Sequence, residues 1–224
     1  MEKQLATLTK HNDVSIITLD DGKANVFSHA MLIAVNECLK EVPKDKGSLV
    51  LAGRDGIFSG GFDLKTLGSG DVDAIIKMVQ LGYETLLMLY SFPRPVVAAV
   101  SGHSVAMGIF ITCCADYRIA LEGNYICQAN EVRNNMDIPI QLMEIVKARV
   151  NKKYFYRAVL HGDPLTMDQS VEAGYLDELT SPENFMTRVL EKAEDLATIG
   201  HPFYERTKNV AQKDVVARIK EAIT

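Results

Sequence analysis

The 224-residue chain has no tryptophan, no long apolar run and no surplus of positive charge. Its 24 basic residues stand against 29 acidic ones and are spread along the sequence, so no basic stripe marks a nucleic-acid-binding surface. No apolar stretch reaches the roughly 18 residues that a membrane-spanning helix needs, and the first residues, MEKQLATLTKHND, lack the pattern of a secretion signal. We therefore expect a cytoplasmic protein with neither nucleic acid nor membrane as a partner.

The sequence is also poor in cysteine, and its four cysteines do not form a CxxC pair. The adjacent Cys113 and Cys114 point in different directions on either a helix or a strand, which disfavours chelation or redox chemistry by this pair. The five histidines show no metal-ligand spacing. Neither a phosphate-binding glycine loop nor a dinucleotide fingerprint is present. We expect reduced core thiols and no metal or nucleotide cofactor.

What the chain does contain is alternating strand and helix patterns in its first half. Residues 5–9 and 14–19 predict a hairpin, and Ser28 is placed to cap a helix that ends before Pro43. The buried strand 48–53 follows, so that a strand, a helix and a second strand indicate a parallel crossover. The sequence therefore predicts an α/β fold.

The pattern continues to residue 121. Residues 54–71 are rich in glycine and predict a loop, and Asp71 or Asp73 begins a long helix that stops at Pro93. Residues 95–102 predict a third buried strand, 103–115 an apolar helix, and 116–121 a fourth strand.

From about residue 141 the pattern is mainly helical. Helices are predicted over 138–150 and 151–162, from the capping box Thr166–Gln169 to Gly174, and from Ser181 to near Gly200. Five apolar positions suggest burial against partner subunits: Phe155, Val159, Phe185, Val189 and Leu196. We interpret residues 1–224 as one domain, with a core over about 1–140 and a helical region over about 141–224.

Two glycine-containing junctions stand out as candidate binding sites, SGG at residues 59–61 and AMG at 106–108. Free backbone N–H groups at the start of a helix bind negative charge without adding a charged side chain. If two such N–H groups from separate loops converge on one oxygen, they form an oxyanion hole. Each junction alone is more typical of a tight turn and close packing than of a binding site.

The order of five motifs resembles the crotonase family, which includes enoyl-CoA hydratases and isomerases. The motifs are FSGGFDL, RPVVAAVSGHSVAMG, ADYRIA, ANEV and AGYLDEL, and the resemblance extends from about Leu5 to the C-terminus. It implies a crotonase-like β-β-α superhelix, the ClpP/crotonase fold, with a helical C-terminal oligomerisation region. It also implies acyl-CoA thioester substrates, no cofactor beyond the coenzyme A of the substrate, and a homotrimer or homohexamer.

The same resemblance implies functional residues. The backbone N–H groups of Gly60 and Met107 would form the oxyanion hole, and Glu131 would be the catalytic acid or base. The implied substrate-binding residues are Lys23, Ala24, Val26, Gly61, Phe62, Asp63 and Phe110.

One departure from the family pattern bears on the reaction. Family hydratases carry two glutamates, and Phe110 stands at the position of the first, whereas Glu131 occupies the second. Hydration needs a base and a proton donor around an ordered water, but moving a double bond needs only one base that takes a proton and returns it. The chain is therefore expected to favour enoyl-CoA isomerisation.

Several interpretations of single residues stay open at this level. Phe110 lines an acyl pocket or simply packs, and Glu131 is a base or a solvated surface charge. Asp63 is better explained as a helix cap than as a catalytic group. Asp137 is a turn residue or the missing second carboxylate, and His103 is expected to pack beside a strand end.

Three alternative functions also remain. Hydration and thioester hydrolysis would use the same oxyanion hole. A catalytically idle acyl-CoA-binding scaffold would account for the loss of the first glutamate.

Overall fold

Two β-sheets organise the chain in the computed structural model, which describes residues 4–223. The strands are β1 (Ala6–His11), β2 (Val14–Leu19), β3 (Ser48–Ala52), β4 (Gly56–Ser59), β5 (Val96–Val100), β6 (Gly102–Val105), β7 (Tyr117–Leu121), β8 (Ile126–Gln128), β9 (Leu165–Thr166) and β10 (Glu178–Thr180). A six-stranded sheet has the order β1-β2-β3-β5-β7-β10 and is parallel except for the β1–β2 hairpin. A four-stranded sheet has the order β4-β6-β8-β9, in which β9 alone is antiparallel.

Helices cover both faces of the larger sheet. They are α1 (His29–Glu41), α2 (Leu64–Leu67), α3 (Val72–Tyr90), α4 (Met107–Cys114), α5 (Ile140–Arg149), α6 (Met167–Ala173), α7 (Phe185–Ala197) and α8 (Phe203–Ile223). The main core lies between one face of this sheet and helices α1, α3, α4 and α5. A smaller core lies between the other face and α7. This arrangement confirms the predicted α/β fold and the parallel crossovers.

The first half follows the sequence prediction closely. The hairpin pairs Ala6 with Leu19, and the Ser28 hydroxyl accepts a hydrogen bond from the Met31 N–H at 3.2 Å to cap α1. All four cysteines are free and buried, and burial raises the pKa of the Cys113 thiol to about 11, so that it stays protonated at neutral pH.

Two elements of the first half were predicted wrongly. The predicted loop 54–71 contains β4 and the short helix α2, and the predicted helix 103–115 begins only at Met107, because Gly102–Val105 forms β6. β4 and β6 pair with each other, and a Cβ atom at Gly102 would lie 2.0 Å from the Gly56 carbonyl oxygen. These strands are short and depend on a close backbone approach, so they carry no alternating apolar pattern.

The helical region also departs from the prediction. The capping box at Thr166 is present and α6 ends at Gly174, but the next helix begins at Phe185, after a turn, and residues 156–160 form a π-helical turn. The 21-residue helix α8 was not predicted.

The apolar positions that were expected to face partner subunits pack inside the chain instead. Phe185 and Val189 contact the sheet within the smaller core, where Leu196 also packs. Val159 is fully buried in the main core and Phe155 packs against it. A homotrimer or homohexamer stays a prediction.

Candidate active site

A cavity of about 170 Å³ lies between α2, α3, the start of α4 and the segment that follows β8. Its lining residues are Gly60, Phe62, Leu64, Leu67, Val79, Tyr83, Ala106, Asn130, Glu131, Asn134, Met136, Asp137, Pro139 and Leu142. Leu64 is 72% exposed and lies at the mouth. The cavity therefore brings together both glycine junctions and the ANEV motif, which are far apart in sequence.

The two glycine junctions touch at Gly61. This residue has a φ of +95°, and a Cβ atom on it would lie 2.6 Å from the Ala106 Cβ and 3.1 Å from the Met107 nitrogen. No side chain fits there, so glycine permits both the backbone conformation and the contact. The N–H group of Phe62, which follows the first junction, and that of Met107, in the second junction, are consequently held close to each other.

Met107 supplies one donor to this place. It is the first residue of α4, an eight-residue helix in which every residue is buried. Its N–H has no acceptor within residues 4–223, as expected for the first turn of a helix. The predicted donor at Met107 is thus available to a bound oxygen.

The other predicted donor is not free. The Gly60 N–H donates to the Ala24 carbonyl at 2.8 Å, and the Gly61 N–H donates to the Ser59 hydroxyl at 3.1 Å. The Phe62 N–H, which follows them, has no acceptor among the hydrogen bonds of residues 4–223. The structure therefore contradicts a free donor at Gly60 and offers Phe62, two residues further on, in its place.

Glu131 lies at the cavity wall and is only 7% exposed, so it is not a solvated surface charge. Its backbone carbonyl accepts hydrogen bonds from the N–H groups of Asn134 and Met136, both at 2.9 Å, which fixes the turn after β8. Its Oε2 atom is buried and has no hydrogen-bond partner among the described residues. Burial raises the pKa of this carboxyl group to about 7. A carboxyl group of this kind can both accept and return a proton near neutral pH.

Two neighbours of Glu131 were not identified from the sequence. Tyr83 on α3 lies edge-on to Phe62, with ring centroids 6.3 Å apart, and burial together with the Glu131 charge raises its pKa to about 12. Asn130 also lines the cavity, and its Oδ1 atom is buried without a partner. The spacing of Val79 and Tyr83 on one helix face was an available signal for Tyr83, whereas nothing local distinguishes Asn130.

Phe110 does not line the cavity. Its side chain is fully buried in the main core, within α4. Of its two sequence-level interpretations, simple packing is correct and substrate contact is contradicted. The position where a family hydratase carries its first glutamate therefore holds a core side chain.

The carboxylate of Asp63 is the N-cap of α2, accepting from the Lys65 and Thr66 N–H groups at 3.3 Å each, and this confirms the capping interpretation. His103 packs as expected, because its Nδ1 accepts from the Ile126 N–H at 3.2 Å and its ring lies edge-on to Tyr125. Asp137, in contrast, is exposed and contributes to the cavity lining.

The predicted acyl-CoA segment lies directly beside the first junction. Ala24 accepts the Gly60 hydrogen bond, and the Phe27 N–H donates to the Gly61 carbonyl at 2.7 Å. Lys23 is exposed, and its carbonyl accepts from Arg54 Nε at 2.9 Å. Lys23, Ala24 and Val26 lie outside the cavity lining, so contact with the nucleotide end of a thioester stays a prediction.

Residues 4–223 contain no cluster of three or more histidine, cysteine, aspartate or glutamate side chains suited to hold a metal ion. In that same part of the chain, no helix combines the length and the apolar character needed to cross a membrane.

Comparison with known proteins places this geometry among enoyl-CoA enzymes. A curated relative, enoyl-CoA delta isomerase 3 of Arabidopsis thaliana, is 27% identical over 202 residues, which cover 86% of this chain and 85% of that protein. The fold also matches two solved structures of a single Mycobacterium tuberculosis protein, which is described in one as a probable enoyl-CoA hydratase and in the other as an enoyl-CoA isomerase.

The first of these structures is 34% identical, with a TM-score of 0.92 and coverage of 98% of this chain and 93% of that chain. The second is 33% identical, with a TM-score of 0.90 and coverage of 98% and 96%. The sequence model that describes enoyl-CoA hydratase/isomerase matches residues 9–224. The chain therefore belongs to the enoyl-CoA hydratase/isomerase family, with the crotonase fold.

Proposed function

We propose that the protein isomerises enoyl-CoA thioesters through an enolate, with Glu131 as the single acid and base. The observation that carries this proposal is the buried Oε2 atom of Glu131, which has no hydrogen-bond partner within residues 4–223 and belongs to a side chain that lines the cavity. A carboxylate oxygen without a structural hydrogen bond retains its lone pairs for a substrate proton. Its raised pKa suits proton transfer near neutrality.

The reaction would run in two proton transfers. Glu131 removes a proton from the α carbon of a 3-enoyl thioester, and the electron pair of that C–H bond moves into the thioester carbonyl to give an enolate. The Met107 and Phe62 N–H groups hydrogen-bond the enolate oxygen and lower the barrier. The protonated Glu131 then returns the proton to the γ carbon, the carbonyl re-forms, and the double bond lies between the α and β carbons.

Two features favour isomerisation over hydration. Phe110 is enclosed in the core, so the cavity lacks the first carboxylate of family hydratases. The curated relative from Arabidopsis thaliana is described as a delta isomerase. Asp137 is exposed at the cavity lining, which leaves weak hydration as the second candidate.

Proton exchange tests the proposal directly. Wild-type protein is incubated with hex-3-enoyl-CoA in deuterated water, and deuterium at the α and γ carbons is followed by NMR together with formation of the 2-enoyl product. Glu131→Gln should lower both rates by about a thousandfold, because the amide cannot take up the proton. Glu144→Gln is the matched control: Glu144 is equally buried but lies outside the cavity lining, and both rates should stay near those of the wild type.

The three alternative functions, hydration, thioester hydrolysis and an idle scaffold, each give a different result in this assay. Exchange that persists in Glu131→Gln removes Glu131 from the mechanism. Release of free coenzyme A, detected with a thiol reagent, would indicate thioester hydrolysis, and a 3-hydroxyacyl product would indicate hydration. Binding of the thioester with neither exchange nor formation of the 2-enoyl product would indicate an idle scaffold.

A further inference from the structure

The cavity lining combines apolar and polar side chains. Its apolar members include Phe62, Leu64, Leu67, Val79 and Leu142. Its polar members are Tyr83, Asn130, Glu131, Asn134 and Asp137, of which Asn134 and Asp137 are exposed to solvent. A purely hydrocarbon acyl chain would require only the apolar side chains and the base.

The three less exposed polar groups lack hydrogen-bond partners within residues 4–223. The Asn130 Oδ1 and Glu131 Oε2 atoms are buried without a hydrogen bond. Tyr83 is half-buried, and its hydroxyl makes no hydrogen bond to the described part of the chain. Glu131 is accounted for by the proposed proton transfer. Tyr83 and Asn130 are not, so the mechanism leaves one donor and one acceptor unexplained in a single small cavity.

Unpaired polar groups of this kind determine which ligands a site accepts. A hydrocarbon chain that displaces water from the cavity would leave the Tyr83 donor and the Asn130 acceptor without hydrogen bonds, which is costly in a buried site. Sites built to pair with a polar group discriminate strongly against analogues that lack it, because the site's own groups are then left unpaired. One group that satisfies both residues at once is a hydroxyl, which accepts one hydrogen bond and donates another.

We propose that the cavity selects acyl thioesters whose acyl chain carries a hydroxyl group, held between Tyr83 and Asn130. This inference rests on the proposed function and specifies its substrate class. The Tyr83 hydroxyl donates to the oxygen of the substrate hydroxyl, which in turn donates to the Asn130 Oδ1. Tyr83 keeps its proton at neutral pH, since its pKa is raised to about 12, and it therefore acts as a donor throughout.

Binding of matched thioesters provides the test. Dissociation constants of hexanoyl-CoA and of its 5- and 6-hydroxy derivatives are measured by calorimetry. At least one hydroxy derivative should bind the wild-type protein about tenfold more tightly than hexanoyl-CoA. The ratio of the two constants should fall to about one in Tyr83→Phe, which removes only the hydroxyl, and in Asn130→Leu.

Tyr90→Phe is the matched control, because Tyr90 lies on the same helix as Tyr83 but outside the cavity lining. It should keep the wild-type ratio. A ratio near one for every derivative in the wild type overturns the inference and indicates that water pairs with the two residues. A ratio that survives in both cavity variants also overturns it.

The failure of this inference is distinguishable from the failure of the proposed function. If hex-3-enoyl-CoA exchanges its α proton but no hydroxy derivative is preferred, only the substrate class is wrong. If hex-3-enoyl-CoA neither exchanges a proton nor yields the 2-enoyl product, the isomerase proposal itself fails.

Discussion

Glu131 and Glu144 are buried to the same extent, at 7% and 6% exposure, but their surroundings differ completely. Glu144 on α5 accepts a hydrogen bond from Arg218 Nε at 2.6 Å and lies 3.6 Å from Lys147 Nζ. Glu131 has no cation beside it and one oxygen without any partner. Burial alone therefore does not identify a candidate catalytic carboxylate. A buried carboxylate oxygen that lacks a hydrogen-bond partner is a stronger indication.

The same contrast holds between the cavity and a second region, the α8 contact region. We define the α8 contact region by its charged residues Asp116, Lys208, Glu144 and Arg218. In the α8 contact region each charge faces an opposite charge, and Lys208 Nζ lies 2.8 Å from Asp116 Oδ2. These pairs tie the last helix to the sheet and to α5. In the cavity the polar groups are left for a ligand. Substitutions in the two regions should consequently affect different properties.

The largest effect on stability is expected at Asp116. Its Oδ2 accepts from Lys208 and from the Val96 N–H, both at 2.8 Å, and Lys208 is only 7% exposed. Asp116→Ala should lower the free energy of unfolding by about 3 kcal/mol, because it leaves the Lys208 charge buried without a partner. Urea denaturation measures this loss.

The double variant Asp116→Ala/Lys208→Met supplies the control. It should be more stable than Asp116→Ala alone, because it removes the orphaned charge together with its partner. Equal stability of the two variants would contradict the assigned pairing. Proton exchange per folded molecule should remain close to the wild-type rate in both, since neither residue lines the cavity.

Glu131→Gln is expected to have the opposite effect on stability. Because the folded-state pKa of about 7 lies above the unfolded value, the wild-type protein loses stability as pH rises through the interval between the ordinary glutamate pKa and 7. Glutamine does not ionise, so at pH 8 the variant should be more stable than the wild type by about 2 kcal/mol. The gain should shrink on lowering the pH to 5, as followed by thermal unfolding. A gain that is the same at both pH values would show that the Glu131 charge is not its cause.

A smaller effect is expected from pH on the isomerisation rate of the wild-type protein. The base form of Glu131 is required for proton removal, so kcat/KM of the wild type should rise with pH and level off above a midpoint near 7. Between pH 7 and pH 5 the rate should approach a tenfold fall for each unit of pH, about 1.4 kcal/mol. Steady-state rates of double-bond migration across this range provide the measurement. A flat profile would mean that Glu131 does not titrate in this range.

The sequence was sufficient to predict the parts of the fold that local composition or a regular period marks. The helix α1 was identified from the spacing of its apolar residues, and the buried strands β3, β5 and β7 from short, largely apolar runs. β4 and β6 were not, because they owe their pairing to a close approach between Gly56 and Gly102 and not to alternating side chains. Which elements these glycines would join is a property of the folded chain.

The candidate site was predictable to a similar extent. The motif resemblance pointed to Glu131, which lines the cavity, and to Met107, whose N–H has no acceptor among the described residues. It also pointed to the Gly60 N–H, which donates to the Ala24 carbonyl on another segment. Asn130 was missed for a related reason. What distinguishes it is the absence of a hydrogen-bond partner among the described residues, and a sequence does not record partners.

Gly61 sets the separation between the Phe62 and Met107 N–H groups by van der Waals contact. Its missing side chain lets the first junction rest against Ala106, so hard-core repulsion between the two loops fixes how near the Phe62 and Met107 nitrogens come. A separation defined by atomic radii does not respond to protonation or to ionic strength. The ionisation of Glu131 can therefore vary with pH while the separation of the Phe62 and Met107 N–H groups stays constant.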